Sequence, residues 1–484
     1  MARRDAVDAI VVGSGPNGLA AAVTLARAGL SVRVHEAAAE PGGGARTAEL
    51  TTPGFRHDLC SAVHPMALAS PFFRAFGLDR RIYLRVPEIS YAHPLDDGRA
   101  GIAWHDLDRT ADGLGRDGRA YRRLLGPLVA HERAVTEFTG STLVRVPRHP
   151  VTAARFGLRA LEQGGPAWGL RFRDEVAPAM LTGVAAHTIR RLPSVASAGA
   201  GLVLAMHAHA RGWPIPVGGS GAIIAALVDD LVAHGGEIVT DAPVEDLRAL
   251  PAARAVLFDV TPRALDRIAG ERMPARYRRA LRRFRYGNAA AKVDFALSGP
   301  VPWTNPDLAG AGTLHLGGSR EEIAAGEREV ARGRHPSSPY VLVSQPSPFD
   351  PTRAPEGRHV LWTYTHVPAG STVDPTEAVI RQVERFAPGF RDVVLASSSR
   401  SAERMQSENA NYIGGDIASG APSLVQLVRR PVLSPDPWRT PLPGVYLASA
   451  STPPGPGVHG LAGWHAARSA LRHEFGLGMP RLAP

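Results

Sequence analysis

The segment that most constrains this chain is the first thirty-odd residues after a short basic leader. Ile10-Val11-Val12 is an apolar, β-branched run of the kind that forms a strand buried on both faces. Gly13-Ser14-Gly15-Pro16-Asn17-Gly18 follows at once as G-x-G-x-x-G, and residues 19–28, rich in Ala and Leu, read as a helix. Gly29 stops that helix, and residues 31–35 read as a second strand ending at Glu36. Each residue type has a physical job. Gly13 permits the tight turn, Gly15 lets backbone approach a diphosphate, and Gly18 lets helix and strand pack closely. The helix N-terminus adds free N–H groups and the positive end of a dipole. Glu36, eighteen residues past Gly18, stands near the spacing expected of a carboxylate that takes ribose hydroxyls. With strand, helix and acidic residue in register, the motif specifies a dinucleotide site.

The theme returns along the chain. After Glu36 and Ala37, Gly42-Gly43-Gly44-Ala45-Arg46 combines backbone able to pass tightly beside a ligand with a cation for phosphate. Pro216 to Gly221 precedes Ile223, Ile224, Leu227, Val228 and Leu231, an apolar stripe at helical spacing, followed by strands at 237–240 and 255–260 with Val244 between them. Near the end come a strand at 445–448, Ala450, a turn-rich loop to Gly457, and a helix expected over 458–474. Gly460, Gly463 and Ala467 keep one face of that helix small, for close approach to something flat or to the sheet. The expected fold is α/β. A discontinuous Rossmann-like domain (1–65, 213–265, 434–484) surrounds a mainly helical substrate or lid region (66–212) and a mixed-sheet substrate domain (266–433). The latter has strands at 292–297, 312–316, 340–345 and 359–366 and a helix at 376–386.

Composition narrows the function. With 484 residues, 44% hydrophobic and 21% charged, the chain is an ordinary globular one of two to three domains. A single cysteine, Cys60, excludes an internal disulfide and any C-x-x-C redox pair. The net charge of +10 invites a nucleic-acid reading, but the basic residues are scattered and no nucleic-acid module appears. Of the 55 basic residues only Lys292 is lysine, which marks compositional pressure and singles that position out. The leader, with Arg3 and Arg4, precedes an apolar run too short for a signal peptide, and residues 194–206 are too short to span a bilayer. The expectation is a cytoplasmic protein. Residues 153–175 mix apolar positions with Arg155, Arg159, Arg171 and Arg173. They read first as a packed helix with a solvated basic face, and second as a membrane-surface or substrate-entry patch. His57, Asp58, Cys60 and His64 show no metal-ligand spacing, so no metal site is expected.

The N-terminal glycine turn, the Gly-Gly segment after the acidic residue, the central P-x-G-G-x-G helix and the closing strand–loop–helix resemble one family. It is the two-domain FAD-dependent oxidoreductases of the phytoene desaturase (phytoene dehydrogenase-related) type, with amine oxidases as more distant relatives. The resemblance implies that Gly13, Ser14, Gly15, Pro16, Asn17 and Gly18 hold the FAD diphosphate and Glu36 the adenosine ribose, with Ala37 following it. It implies that Gly43, Gly44, Ala45 and Arg46 run past the diphosphate and ribityl chain, and that Val244 contacts the adenine end through its backbone. Ala450 belongs to the closing segment, and Gly457, Val458 and His459 begin the last helix, facing the flavin. In the amine oxidase relatives a strand lysine, followed by a turn and an aromatic such as Trp303, reaches the flavin through a water; Lys292 is the matching candidate. The activity implied is dehydrogenation of a lipophilic substrate, a carotenoid-like polyene for instance, with hydride passing to FAD and reoxidation by oxygen or a quinone. Amine oxidation, redox-neutral isomerisation on reduced FAD, and a flavin-containing binding or assembly role without turnover are the rival readings. The amine oxidase reading ranks second because it needs an aromatic cage and aromatic content is only 6%.

Overall fold

The computed structural model describes residues 6–484; Arg3 and Arg4 of the leader lie outside the described residues. Five parallel strands form the first sheet in the order Val445–Leu447, Ala255–Phe258, Ala9–Val12, Val32–His35 and Glu237–Val239. Three distant stretches of chain therefore build one sheet. Ala9–Val12 sits at its centre with all four residues buried, paired in parallel on both sides. The first helix, Pro16–Arg27, starts three residues earlier than expected. Pro16 occupies its first turn, where the missing N–H has no acceptor to lose and the fixed φ is already helical.

The last helix, Leu461–Ala470, starts later than expected, so Gly457, Val458 and His459 lie in the loop before it. Gly460, at φ 68°, forms its N-cap. The small face packs on the first helix: a Cβ on Gly463 would lie 1.7 Å from the Asn17 carbonyl oxygen, and one on Gly460 would lie 2.9 Å from Ala20 Cβ. Backbone-to-backbone contact of this kind is available only where a side chain is absent.

The second sheet has seven strands in the order Val394–Arg400, Ala289–Leu297, His359–Val367, Val341–Ser344, Thr313–Leu316, Ile89–Pro94 and Ala100–Trp104. Its pairings are antiparallel except between Thr313–Leu316 and Ile89–Pro94, which makes it the expected mixed sheet. The hairpin Ile89–Pro94/Ala100–Trp104 comes from the region expected to be mainly helical, and Val394–Arg400 also went unread. Ile89–Pro94 is buried at all six positions, so it lacks the inside-outside alternation by which strands announce themselves. That region also holds the short strand Leu84–Arg85 and the helices Gly118–Val129, Pro150–Gly164, Val176–Ala186 and Val195–Ala210.

Strand alternation gives the second sheet two unlike faces. Val293, Phe295, Leu361, Val341, Val343 and Leu314 close one face against Val379 and Val383 of the helix Thr376–Glu384. Lys292, Asp294, Trp362, Tyr364 and His366 populate the other face. A ribbon of Thr47–Glu49 and Arg56–Asp58 ties the two sheets together. The Asp58 carboxylate accepts from Thr47 Oγ1 and Ser220 N, both at 2.7 Å, and pairs with the buried Arg353; Trp362 Nε1 donates to the Asp58 carbonyl at 3.0 Å. Among the described residues no helix is long and apolar enough to cross a membrane.

Candidate dinucleotide and redox site

The glycine turn runs from the central strand into the first helix, and neighbouring chain leaves no room there for side chains. A Cβ on Gly18 would lie 2.1 Å from the Gly13 carbonyl oxygen, and one on Gly15 would lie 2.7 Å from Asp259 Oδ2. Gly13 takes φ 97°, which also favours glycine. Across the turn, Glu36 accepts from Ser14 N at 2.8 Å, from Ser14 Oγ and, through its other oxygen, from Ala38 N at 2.9 Å. Ala37 lies in the turn that this second bond closes. The carboxylate is thus pinned at the carboxyl end of the second strand, beside the glycine turn. Val244 belongs to a segment held on the same edge: Ala242 N donates to the Glu36 carbonyl at 2.8 Å and Asp241 N to the Ala38 carbonyl at 3.1 Å.

The second glycine segment crosses the first. Gly42 N donates to the Ser14 carbonyl at 3.1 Å, and a Cβ on Gly43 would stand 3.2 Å from Gly15 Cα. Gly44 abuts Tyr412, whose Oη would be 2.0 Å from an added Cβ; Ala45 is fully buried. Arg46 bends back so that Nε donates to the Gly43 carbonyl at 3.0 Å. Asn17 carries a buried Oδ1 with no hydrogen-bond partner, a polar group in the turn that a bound ligand is free to engage. A glycine cradle, a helix start, an unpartnered amide and a strand-end carboxylate together fit a dinucleotide.

The C-terminal segment arrives on the same side. Ala450 accepts from the buried Arg430 guanidinium through its carbonyl, at 3.0 Å. His459 Nδ1 accepts from Leu461 N at 3.0 Å, so its Nε2–H is the donor to the Gly455 carbonyl at 3.2 Å. Burial brings this imidazole down to about 4, so it is a neutral clasp on the loop. Gly457 at φ 135° packs directly under the His459 ring.

Lys292 is almost fully buried in the second sheet, with Cys60, which lies against Gly44, among the groups that feel its charge. Its Nζ pairs with Asp294 and stands 5.2 Å from the centre of the Trp362 ring. Trp303 is not the aromatic neighbour: it packs on the opposite, apolar face of the sheet and donates to Gln345 Oε1 at 3.0 Å, because residue spacing of eleven along the chain says nothing about sheet face. Arg400, opposite Lys292 on the adjoining strand, approaches Asp294 at 3.3 Å. Two cations therefore share one carboxylate. Burial lowers the Lys292 pKa, with Arg400 adding to the effect and Asp294 opposing it. Of the two cations lysine is the one able to give up its proton. His57 Nδ1 and Asp294 Oδ1, both buried and without hydrogen-bond partners, face one another at 3.7 Å. Burial, with Lys292 and Arg353 nearby, drops the His57 pKa to about 3, so it stays neutral. Its Nε2 bonds Thr51 Oγ1 at 2.9 Å, His64 Nε2 bonds Ser220 Oγ at 2.8 Å, and Cys60 lies against Tyr412.

Several site residues escaped sequence reasoning. Rings run along the sheet face from Lys292 outwards: Trp362 to Tyr364 at 5.3 Å, Tyr364 to His366 at 5.6 Å, His366 to Tyr340 at 4.7 Å, and onward through His315 to Tyr91 at 5.3 Å. Trp362, Tyr364 and His366 recur at every second residue of one strand, a signal present in the sequence and unused. Asp259, whose Oδ2 accepts from Gly18 N at 2.9 Å, ends the strand Ala255–Phe258 as Glu36 ends its own.

A model of the NAD(P)-binding Rossmann-like domain matches residues 11–76. Over nearly its whole length the chain is 25% identical to the rat "pyridine nucleotide-disulfide oxidoreductase domain-containing protein 2", covering 96% of this chain and 93% of that one. A shorter stretch is 35% identical to the 4,4'-diapolycopen-4-al dehydrogenase of Metabacillus indicus, over 25% of this chain and 26% of that one. Among solved structures, putrescine oxidase bound to putrescine superposes with a TM-score of 0.58 at 17% identity, over 96% and 98% of the chains. Reduced UDP-galactopyranose mutase superposes with a TM-score of 0.55 at 14% identity, over 96% and 93%. The chain thus has the Rossmann-like α/β fold with a mixed sheet that these enzymes share.

Proposed function

We propose that the protein is an FAD-dependent oxidoreductase that dehydrogenates a lipophilic organic substrate. The observation that carries this reading is the convergence of four separated segments (the glycine turn, Glu36, Gly43–Arg46 and Ala450–His459) around the start of the first helix at the carboxyl ends of the parallel strands, with Cys60 lying between Gly44 and the Lys292 charge. When bound, FAD supplies the capacity to take two electrons and a hydrogen from an unactivated carbon centre. The chain supplies binding and electrostatics. The glycine turn and the first helix hold the diphosphate, Glu36 the ribose, and Gly43 to Arg46 the ribityl side. Lys292, with its ammonium disfavoured by burial and held by Asp294, is the group poised to hold or release a proton at Nζ. The electrons leave to dioxygen or a quinone.

The lipophilic part of the reading draws on the helix Pro150–Gly164. Val151, Ala154, Leu158 and Leu161 form its solvent-facing stripe, with Leu158 67% exposed, while Thr152, Phe156 and Ala160 face inward. The outward face is therefore apolar rather than the solvated basic one first expected. Leu170 is also exposed nearby, and Arg116, Arg119, Arg123, Arg171 and Arg173 line an adjoining groove. Apolar stripe and flanking arginines suit contact with an anionic lipid surface from which such a substrate is drawn. A carotenoid-like polyene is the substrate class to which the partial match with the diapolycopenal dehydrogenase gives support.

The second reading is amine oxidation, favoured by the ring run beside Lys292 and by the putrescine oxidase fold. One experiment separates the readings. The purified protein should be yellow, and anaerobic addition of a lipid extract should bleach it. Bleaching by amines, with hydrogen peroxide on aeration, selects the second reading. A protein that stays colourless after incubation with FAD ends both.

A further inference from the structure

The Asp259 side chain occupies the turn in which the dinucleotide diphosphate is to sit. Its Oδ2 accepts from Gly18 N at 2.9 Å, and the same oxygen lies 2.7 Å from where a Gly15 Cβ would be. Its backbone cannot withdraw. Asp259 N donates to the Val12 carbonyl at 2.8 Å, its own carbonyl accepts from Asn411 Nδ2 at 3.1 Å, and Asn411 Oδ1 accepts from Thr261 N at 3.1 Å. The surroundings offer no counter-charge. Ser14 of the turn, Asn17 of the first helix and Asn411 of the adjoining loop are neutral, and the charged group bearing on Asp259 is the Glu36 carboxylate. Among the described residues Asp259 has no ion-pair partner. A diphosphate entering this turn meets a carboxyl that, if ionised, repels it at close range in a buried setting.

We propose that Asp259 makes dinucleotide binding a proton-coupled step: one proton is taken from solvent onto its carboxyl as the diphosphate seats in the glycine turn. The inference rests on the FAD reading above. Burial already pushes this carboxyl up to about 7, with Glu36 adding to the effect and the Gly18 N–H opposing it, so the proton is available near neutral pH. A carboxyl that served only to cap the first helix would take up no proton, because the capping bond needs an acceptor and not an acid.

The test is titration of the apoprotein with FAD, followed by flavin fluorescence, between about pH 5.5 and 9. Calorimetry at about pH 8 in two buffers of different ionisation enthalpy counts protons. Free FAD keeps its charge across this range. The wild type should bind with constant affinity at the acid end and lose about tenfold per pH unit above neutrality, taking up about one proton per FAD at the alkaline end. Asp259→Asn keeps an acceptor for the Gly18 N–H, and should bind FAD without pH dependence or proton uptake. A wild-type affinity that is flat with pH, or no proton uptake at the alkaline end, overturns the proposal, and the wild-type measurement decides even if the variant does not fold. A variant retaining the wild-type slope overturns it as well. No binding at any pH overturns the FAD reading itself, a different and recognisable outcome.

Discussion

Replacing Gly463 by alanine probes the seam between the two ends of the chain. The new methyl carbon would stand 1.7 Å from the Asn17 carbonyl oxygen, 2.6 Å from its carbon and 3.1 Å from Ala21 N. These are backbone atoms of the first helix and cannot rotate away. Ordinary contact needs more than 3 Å, so the last helix must retreat by roughly 1.5 Å, and overpacking of this kind costs about 3 kcal/mol. At about 1 kcal/mol per degree for a chain of this length, the apparent melting midpoint should fall by about 3 °C. The retreat also carries the Gly457–His459 loop away from the glycine turn, so FAD affinity should drop at least about tenfold, or 1.4 kcal/mol. Gly157→Ala is the matched control. Gly157 lies within the helix Pro150–Gly164, and an added Cβ meets nothing within 4 Å. There the same change should raise stability by up to about 1 kcal/mol through helix propensity alone and leave FAD binding untouched. Scanning calorimetry and fluorescence titration read both. A Gly463→Ala protein with wild-type melting and wild-type FAD affinity would refute the close approach and the convergence argued from it.

Other outcomes follow from the same geometry. Lys292→Met should retain FAD yet slow flavin reduction or reoxidation by about a hundredfold, as loss of a positioned proton carrier does; stopped-flow rates unchanged in both half-reactions remove Lys292 from the site. Lys292→Arg, which cannot release its proton, should resemble the Met variant. Arg353→Met strips the buried Asp58 carboxylate of its ion partner, at a cost of about 3–5 kcal/mol near neutral pH. Burial works to raise Asp58, but Arg353 and the Ser220 N–H hold it below its ordinary value. Wild type therefore keeps this contribution above the ordinary carboxylate value and loses it as pH falls through the depressed one. The variant is penalised most at neutral pH, so urea midpoints of the two should converge towards acid. Leu158→Asp with Leu161→Asp should weaken co-flotation with anionic vesicles by about 2 kcal/mol, roughly thirtyfold, without altering FAD binding; equal flotation refutes the lipid-facing stripe.

The parallel sheet was legible because its parts are local. Ile10 to Glu36 carries strand, turn, helix and acidic end within one stretch, and the glycines at 42–44 and 457 mark backbone that must pass close to something. Asp259 was equally legible in principle, being a carboxylate at the end of a parallel strand, but it stands outside any glycine motif. What the sequence hid lies in tertiary pairing. Ile89–Pro94 gave no alternation because both of its faces are covered. Asp58 meets Arg353 across nearly three hundred residues, a partnership no local pattern encodes. The start of the last helix was misplaced because Gly460, left-handed at the N-cap, breaks what reads as one apolar periodic run from Val458. The 6% aromatic content, a chain-wide average, could not show the rings gathered on one sheet face.

The interleaved make-up of the parallel sheet has a consequence for biosynthesis. Ala9–Val12 leaves the ribosome early, yet its neighbour Ala255–Phe258 appears only after about 12–50 s of synthesis at about 5–20 residues per second. The edge strand Val445–Leu447 follows only after nearly two hundred further residues. Meanwhile one side of the nascent Ile10-Val11-Val12 ribbon stands open to any passing chain. Holdase chaperones on the ribosome should therefore engage this polypeptide throughout translation, and nonsense truncations, even very late ones, should yield aggregates rather than partially working enzyme.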